Sequence, residues 1–365
     1  MRCVYSHTHA FHSPESETEA GVQIPTYEMP RRAEVIRAEL QADGGFDFAD
    51  PGNHGIDPVL AVHDRGLVDY LAHAWDEKGA SAGEGAIVPD SIAHLGLREG
   101  IGGNPRPSTF DAMTGYYCFD TTTPLVEGTY SAARASVEVA LTTTDIVLAE
   151  DDLAYGLCRP PGHHAARAIY GGYCFLNNAA IAAQYALEKT GDRVAILDVD
   201  YHHGNGTQQI FYTRGDVMYA SLHADPNRAY PYFTGFEGET GAGDGAGANL
   251  NLPLPRSCAG GRFFTALQTA LAALLRFGPA LLIVSLGVDT YFNDPIADFS
   301  LTTRDQYEMG TRIAAVFPRI VILQEGGYDV DALGINVRAW LRGAEGRSYD
   351  AGSDRAGAGF EGLRE

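Results

Sequence analysis

The chain has 365 residues, 45% of them hydrophobic, and a formal net charge of −21. The apolar fraction is enough for a sizeable buried core and excludes a disordered protein, whereas length alone leaves one large domain or two open. The acidic balance disfavours nucleic acid as a partner, because phosphate binding relies on basic patches, and it suits a cationic substrate or simple solubility.

The cysteines and apolar runs bear on the compartment. The five cysteines are few and odd in number, so they imply no disulfide framework. The longest apolar run, residues 280–288, is well short of the roughly 18 residues that span a bilayer. The first residues lack the apolar stretch of a signal peptide. We therefore expect a cytoplasmic protein that does not act on membranes.

The first half of the chain predicts one early helix and one long loop. A helix is expected over residues 31–41, ending at Gly44-Gly45. Residues 79–127 are rich in Gly, Pro and Ser and show little periodicity. Long loops of this kind in compact domains are usually functional or disordered, and the pair Tyr116-Tyr117 indicates that part of this one is ordered.

From about residue 194 onward, apolar runs alternate with helical patterns, which predicts an α/β protein with a mostly parallel sheet flanked by helices. The predicted strands are residues 194–197, 218–222, 281–285 and 320–323. The predicted helices are residues 178–189, 262–277 and 307–316, the last preceded by a Thr303–Gln306 capping pattern. Each strand runs into a polar or titratable residue, so a site is expected at the carboxyl ends of the strands.

The predicted organisation is a single domain over residues 1–345. Residues 346–365 are polar and glycine-rich, which is typical of a flexible tail. The chain shows no internal repeat.

The run Asp198-Val199-Asp200-Tyr201-His202-His203 is a candidate metal site. Residues two apart on an extended segment face the same side, so Asp198, Asp200 and His202 project together. Two carboxylates and an imidazole suit a divalent ion such as zinc. Taken alone, the run is equally compatible with solvated polar residues at a strand end.

Asp289 strengthens the metal hypothesis. It ends a separate and strongly apolar strand, where a charged residue needs a partner or a metal. With Asp200 and His202 it makes three protein ligands and leaves room for water and substrate, as a catalytic site requires. Asp198 is then better placed to support a ligand than to be a fourth one. A helix cap or an ion pair is the alternative for Asp289.

Two further motifs carry proton-transfer groups. His163 and His164 follow a rigid Pro-Pro-Gly segment and can supply a general base and an electrostatic partner near a metal. Tyr328 follows Glu325-Gly326-Gly327, and its hydroxyl can donate to the oxyanion of a tetrahedral intermediate. A surface histidine pair and a core tyrosine are the alternatives.

The motifs together resemble the histone deacetylase family in order and spacing over residues 1–343. The matching blocks are Pro-Pro-Gly-His-His at 160–164, Gly-Gly-Tyr-Cys-Phe-Leu-Asn-Asn at 171–178, Asp-Val-Asp-Tyr-His-His-Gly-Asn-Gly-Thr at 198–207, Ser-Leu-His at 221–223, Gly-Val-Asp-Thr at 287–290 and Glu-Gly-Gly-Tyr at 325–328. Gly-Tyr-Tyr-Cys at 115–118 resembles the branch of bacterial acetylpolyamine amidohydrolases. The resemblance implies an arginase-deacetylase-like domain, one zinc with iron(II) or cobalt(II) as substitutes, and hydrolysis of an acetamide.

The resemblance also implies roles for individual residues. The metal ligands are Asp200, His202 and Asp289. The proton-transfer and oxyanion groups match the following residues: His164 as general base and acid, His163 as its electrostatic partner, Asp198 and Asn205 as the residues that orient the two imidazoles, and Tyr328 as the oxyanion donor. The substrate contacts match the aromatic walls Tyr173 and Tyr230 and the carbonyl of Gly172. A structural potassium site matches Asp198, Asp200, His202, Ser221 and Leu222.

The long loop bears on the substrate. In the polyamine branch, acidic residues of this loop bind the distal ammonium, and the loop packs across a homodimer interface. One acidic position matches Asp111, but the other falls on Thr122, so a charge-assisted contact of about 1.5–3 kcal/mol is missing there. Asp120 lies nearby.

The resulting prediction is a deacetylase of acetylated polyamines or short diamines. The alternatives are a lysine deacetylase acting on peptides or proteins, a two-metal ureohydrolase, and a binding protein without turnover. The ureohydrolase is disfavoured because Thr290-Tyr291, and no carboxylate, follows Asp289.

Overall fold

The computed structural model describes residues 1–78, 85–94, 96, 99–101, 105–149 and 152–349. Its strands are β1 (Arg2–Val4), β2 (Ser16–Glu19), β3 (Val22–Pro25), β4 (Asp47–Ala49), β5 (Leu153–Gly156), β6 (Val194–Asp198), β7 (Val217–Ala224), β8 (Asn249–Leu254), β9 (Leu281–Leu286) and β10 (Ile320–Gln324). Eight of them form one sheet in the order β4-β1-β5-β10-β9-β6-β7-β8, and every pair in it is parallel. β2 and β3 form a separate antiparallel hairpin.

Helices cover both faces of the sheet. They are α1 (Arg31–Asp43), α2 (Asp57–Leu60), α3 (Arg65–Lys78), α4 (Phe110–Tyr117), α5 (Thr129–Ala149), α6 (Asn178–Thr190), α7 (Asn205–Phe211), α8 (Gly260–Phe277), α9 (Thr303–Ala314) and α10 (Leu333–Ala344). One hydrophobic core contains residues of α1, α8, α9 and α10, and a second contains residues of α3, α5 and α6.

The two cores lie on opposite faces of the sheet, because the side chains of each strand point alternately to one face and the other. In β6, Ala195 and Leu197 belong to the first core, whereas Val194 and Ile196 belong to the second. Successive side chains of a strand point to opposite faces, so a strand covered on both sides is apolar throughout. The predicted α/β class with a parallel sheet flanked by helices is confirmed.

The predicted elements differ from the observed ones mainly at their ends. α6 begins after Asn177, which caps it through the N–H of Ala180, and it ends at Gly191 with φ 73°. β7 continues past His223, which lies inside the strand. The capping box of α9 is formed by Thr302 and Asp305, so the Thr303–Gln306 pattern was wrong and the helix begins earlier than predicted.

The long segment before residue 127 contains more structure than the sequence indicated. α4 lies within it, and Ile87 pairs with Leu125 in an antiparallel bridge. At the other end of the chain, the Tyr307 hydroxyl donates to the carbonyl of Arg347 at 3.0 Å. The first residues of the predicted tail therefore pack against α9, and residues 350–365 lie outside the described part of the chain. The predicted domain limits stay predictions.

Two further features concern the helices and the cysteines. None of the helices in the described ranges is long and apolar enough to cross a membrane. All five cysteines are buried free thiols.

Candidate metal centre and active site

Neighbouring parallel strands bring the candidate residues to one edge of the sheet. β10, β9, β6 and β7 are adjacent in the sheet order, and Asp198 of β6 is in register with Ser285 of β9 and Ser221 of β7. The segments that follow these strands therefore emerge side by side. Asp200 follows β6, and Asp289 follows β9. Residues separated by almost ninety positions meet for this reason.

Asp200, His202 and Asp289 form a compact set of metal-ligating groups. One ligand atom from each lies within 4.8 Å of the other two. Nδ1 of His202 is 3.0 Å from Oδ2 of Asp289 and 3.3 Å from Oδ1 of Asp200. Both carboxylates are fully buried. Two buried carboxylates side by side need a cation to balance them, so the donor set fits a divalent metal.

Backbone amides orient the two carboxylates. Oδ2 of Asp200 accepts from the N–H of Gly326 at 2.8 Å, and Oδ1 of Asp289 accepts from the N–H of Tyr201 at 2.9 Å. A Cβ on Gly326 would lie 2.5 Å from Oδ2 of Asp200 and 2.6 Å from Oδ2 of Asp289. Only glycine leaves the space that these carboxylates need.

His163 lies beside the ligand set and is tied to Asp198. Its Nδ1 is 3.0 Å from Oδ2 of Asp198, which also accepts from the Tyr219 hydroxyl at 2.9 Å. Burial alone lowers the pKa of His163, but the carboxylates of Asp198 and Asp200 outweigh it and raise the pKa to about 10. The two carboxylates therefore favour the protonated, cationic form of His163.

His164 has the opposite electrostatic character. Its Nδ1 is 2.7 Å from Oδ1 of Asn205, which accepts a hydrogen bond and leaves Nε2 free as a base. Burial, together with the positive charge of the neighbouring His163, holds the pKa of His164 well below its usual range. The two rings lie 4.1 Å apart, so one neutral and one charged imidazole stand side by side.

A buried glutamate holds the loop that carries both histidines. Oε2 of Glu325 accepts from the N–H of Gly162 at 2.6 Å and of His163 at 3.2 Å. Its Oε1 accepts from the hydroxyl of Ser285 at 3.2 Å. Burial raises the pKa of Glu325 to about 7. Glu325 therefore links the histidine loop to the ends of β9 and β10.

Tyr328 is a buried tyrosine that follows the Gly326-Gly327 pair. Its N–H donates to Oδ2 of Asp294 at 2.8 Å, and the guanidinium of Arg32 lies 4.5 Å from the centre of its ring. Arg32 in turn donates to the carbonyls of Gly327 and Glu325, both at 2.6 Å. Burial holds the pKa of Tyr328 well above its usual range, so its hydroxyl remains a hydrogen-bond donor.

A cavity of about 590 Å³ opens onto these residues. His164, His202, Gly172 and Tyr328 line it, and so do the two predicted aromatic walls. Those walls are Tyr173, whose ring centre is 5.7 Å from that of Tyr328, and Tyr230, whose ring is perpendicular to His164 at 5.0 Å. The cavity is therefore a channel with aromatic sides that ends at the ligand set.

The structure does not bring every predicted site residue to this channel. Asp111 is solvent-exposed on α4 and does not line the cavity, whereas Thr122 does. For the potassium site, Asp198 and Ser221 are neighbours across β6 and β7, and Leu222 is buried in β7. The potassium site remains a prediction.

Two carboxylates bind the aromatic walls of the channel: Glu17, which no sequence motif indicates, and Asp120, which the sequence placed only near the loop position Thr122. Glu17 of β2 accepts from the Tyr173 hydroxyl at 2.6 Å, and Asp120 accepts from the Tyr230 hydroxyl at 2.8 Å. Glu17, Asp294 and Arg32 belong to no recognisable motif and lie far from their partners in sequence. Conservation across relatives is the signal that could have found them.

The chain belongs to the histone deacetylase family: residues 26–344 match the model of the histone deacetylase domain. It is 43% identical over 347 residues to an acetylpolyamine amidohydrolase of Mycoplana ramosa, a match that covers 95% of this chain and 100% of that protein. Acetylpolyamine amidohydrolase 1 of Pseudomonas aeruginosa is also 43% identical, over 95% of this chain and 99% of its own length.

The fold comparison agrees with the sequence comparison. The crystal structure of an acetylpolyamine aminohydrolase from Burkholderia pseudomallei superposes with a TM-score of 0.88 at 37% identity, covering 94% of this chain and 98% of that one. The predicted family and fold are confirmed. Family membership implies an amidohydrolase with a metal cofactor. Among the described residues, two groups of side chains lie close enough together to hold a metal: Asp200, His202 and Asp289, and, next to them, His163, Cys174 and Glu325.

Proposed function

We propose that this protein is a metal-dependent amidohydrolase that removes the acetyl group from acetylated polyamines or short diamines, releasing acetate and the free amine. The observation that carries the proposal is the convergence of the Asp200, His202 and Asp289 donors, two imidazoles and the Tyr328 phenol at the end of one channel. The relatives named acetylpolyamine amidohydrolases support the substrate class.

Asp200, His202 and Asp289 would hold the metal, with zinc as the expected ion and iron(II) or cobalt(II) as substitutes. A bound ion of this kind acts as a Lewis acid on the acetyl carbonyl and makes water a stronger nucleophile. Neutral backbone N–H groups orient the two carboxylate ligands, since each carboxylate accepts a hydrogen bond from one of them.

His164 and Tyr328 carry the remaining chemistry. Nε2 of His164 removes a proton from the attacking water and later delivers it to the nitrogen of the departing amine. The cationic His163 lies next to it and stabilises the negative charge that develops. The Tyr328 hydroxyl donates to the oxygen of the acetyl carbonyl as that oxygen becomes an oxyanion.

Residues that line the channel would bind the part of the substrate beyond the acetyl group. Tyr173 and Tyr230 sandwich its aliphatic chain, and the carbonyl of Gly172 accepts from the N–H of the scissile amide. Glu19 is exposed at the mouth, where a carboxylate attracts a cationic amine. The family resemblance implies a homodimer through the long segment, and we propose that Asp111, which is exposed on α4, acts on a substrate bound to a second copy of the chain.

The substrate class is tested by comparing kcat/KM for N-acetylputrescine and N8-acetylspermidine with that for an acetyllysine peptide. Chain stripped of metal should be reconstituted with zinc, iron(II) or cobalt(II) before each measurement. We expect a preference for the acetylated amines of at least tenfold. A clear preference for the peptide would make the protein a lysine deacetylase, and absence of hydrolysis with every substrate would overturn the proposal.

Metal stoichiometry separates the proposal from the two-metal alternative. We expect about one transition-metal ion per chain by elemental analysis, with potassium counted separately, because the site offers three ligands. A value near two would favour a ureohydrolase.

A further inference from the structure

The turn that carries Gly172 and Tyr173 has an unfavourable backbone conformation. Gly172 has φ 59° and Tyr173 has φ 65°, so two successive residues lie in the left-handed region. Glycine adopts this region freely, but a residue with a bulky side chain such as Tyr173 does so only at an energetic cost. Contacts from elsewhere must therefore hold this turn in place.

Asp120 and Thr123 supply those contacts. Oδ2 of Asp120 accepts from the N–H of Gly172 at 2.6 Å. The hydroxyl of Thr123 accepts from the N–H of Tyr173 at 2.9 Å and donates to Oδ2 of Asp120 at 3.2 Å. Oδ1 of Asp120 accepts from the N–H of Thr123 at 3.1 Å. One carboxylate and one hydroxyl thus satisfy both amides of the turn.

The same carboxylate reaches the opposite wall of the channel. Oδ2 of Asp120 accepts from the Tyr230 hydroxyl at 2.8 Å. Tyr230 comes from a different part of the chain than Gly172, so Asp120 joins two otherwise independent sides of the substrate site. Both of its oxygens already accept hydrogen bonds from neutral donors. These contacts explain why a carboxylate stands at position 120 even without an ammonium ligand.

The turn also packs against the candidate base. A Cβ added to Gly172 would lie 2.3 Å from Cδ2 of His164. The backbone of Gly172 therefore lies against the imidazole ring, and a displacement of the turn would reach His164. The chain leading to Asp120 is itself anchored, because Phe119 donates its N–H to the carbonyl of Tyr170 at 3.1 Å.

From these contacts we infer that Asp120 is a positioning residue: it fixes the strained Gly172–Tyr173 turn and the Tyr230 ring together, and so sets the width of the channel and the direction of the Gly172 carbonyl. The inference rests on the proposed function for the identity of the substrate. It assigns Asp120 a different task from binding the distal ammonium of a polyamine.

The test variant is Asp120→Asn. All the groups that surround the Asp120 carboxylate donate hydrogen bonds to it. An asparagine side chain would replace one acceptor oxygen by an NH₂ group, which cannot accept, so in either orientation the NH₂ would face a donor and lose a hydrogen bond. We expect kcat/KM for N-acetylputrescine to fall at least tenfold, through both a higher KM and a lower kcat. The uncharged N-butylacetamide should lose activity by the same factor, because the turn and the walls contact the part that both substrates share.

A double-mutant cycle separates the contact of Asp120 with Tyr230 from its contact with the Gly172–Tyr173 turn. Tyr230→Phe removes only the hydroxyl and keeps the ring, so Asp120→Asn should reduce kcat/KM less in that background than in the wild-type chain. Glu127→Gln is the matched control, since it removes an exposed carboxylate of the same segment, and it should leave kcat/KM unchanged. If Asp120→Asn does not fold, Thr123→Val serves in its place, because it removes the acceptor of the Tyr173 N–H together with the hydroxyl that donates to Asp120.

Amide hydrogen exchange gives a readout independent of turnover. Exchange in a peptide covering residues 168–176 should become faster in Asp120→Asn and remain unchanged in Glu127→Gln. Loss of activity on the charged substrate alone would make Asp120 an ammonium receptor, and an unchanged exchange rate or a kcat/KM within twofold of wild type would also overturn the inference. Failure of the proposed function would appear differently, as a wild-type chain that hydrolyses no acetylated amine.

Discussion

Tyr328 is buried, its backbone N–H is bound to Asp294, and the guanidinium of Arg32 lies over its ring. Its pKa is held above the usual range by burial, and its ring stacks beneath the guanidinium of Arg32. A protonated phenol held in this way is preorganised, because no reorientation is needed when charge develops on the carbonyl oxygen.

Replacing Tyr328 by phenylalanine should therefore reduce kcat by about 10²–10³-fold, the usual effect of losing one oxyanion donor. The ring and its contact with Arg32 remain, so metal content and thermal stability should match wild type. Steady-state kinetics with N-acetylputrescine and elemental analysis check both expectations. Near-wild-type turnover would remove Tyr328 from the mechanism.

Asn205 sets the basicity of His164. A neutral amide at 2.7 Å from Nδ1 stabilises the imidazolium less than a carboxylate would, and burial already holds the pKa of His164 low. His164 is neutral, and so able to act as a base, over a wide pH range.

Asn205→Asp should raise the pKa of His164, so the imidazole becomes protonated at a higher pH. A protonated imidazole cannot accept the proton of water, and the acid limb of the kcat/KM profile should move to higher pH. The profile measured between pH 5 and 9 provides the test. A shift of the acid limb toward lower pH, or no shift, would contradict the role of His164 as base.

At the scale of elements, the site depends on how closely the ends of β6, β9 and β10 approach one another. Gly326 follows β10 and touches the carboxylates that follow the other two strands. No side chain fits between them, so the spacing of three strand ends fixes the spacing of the ligands.

Gly326→Ala should consequently weaken metal binding by at least tenfold while the sheet still folds. The added Cβ would lie about 2.5 Å from two carboxylate oxygens, which must move apart. Gly261→Ala is the control, because a Cβ at that position of α8 meets no atom within 4 Å. Competition with a fluorescent chelator measures the affinity, and equal affinities for the two variants would refute the expectation.

Some elements were readable from sequence and others were not. Short apolar runs that end in a polar residue identified β6, β7, β9 and β10, since a strand buried on both faces has an unmistakable local pattern. α5 escaped detection although it is long. Thirteen of its 21 residues are buried, including Thr143 and Thr144, so it lacks the polar face that makes a helix visible as a periodic pattern.

At the scale of the whole molecule, buried neutral histidines make stability depend on pH. His63 is fully enclosed: its Nδ1 donates to the carbonyl of Ala166 at 3.0 Å, and its Nε2 accepts from the N–H of Asn177 at 2.9 Å. Nε2 cannot be protonated without breaking its hydrogen bond from the N–H of Asn177. Burial lowers the pKa of His63 to about 4 and that of His12 to about 3.

In the unfolded chain a histidine titrates near 6.5, so between about pH 6.5 and 4 the unfolded state binds more protons than the folded one. The contribution of His63 is thus complete above pH 6.5 and is lost as the pH falls, by up to about 1.4 kcal/mol per pH unit. Urea unfolding at pH 7.5, 6.0 and 5.0 with a chelator present measures this slope.

His63→Gln provides the comparison, because its amide can donate to Ala166 and accept from Asn177 without titrating. The variant should lose stability less steeply than wild type below pH 6.5, with a constant difference above it. Parallel curves over the whole range would show that His63 does not contribute.

The sequence by itself determined the family and the α/β class, and it supplied the proposed metal-ligating and proton-transfer residues, because each of these is encoded by a short run with its own local chemistry. Only the tertiary structure decided which residues hold that machinery in place. Glu17 and Tyr173 are 156 positions apart, Asp120 and Tyr230 are 110 apart, and Arg32 and Gly327 are 295 apart. A hydrogen bond across such a distance leaves no periodic or local pattern in a single sequence, since it exists only after the sheet has brought the strand ends together.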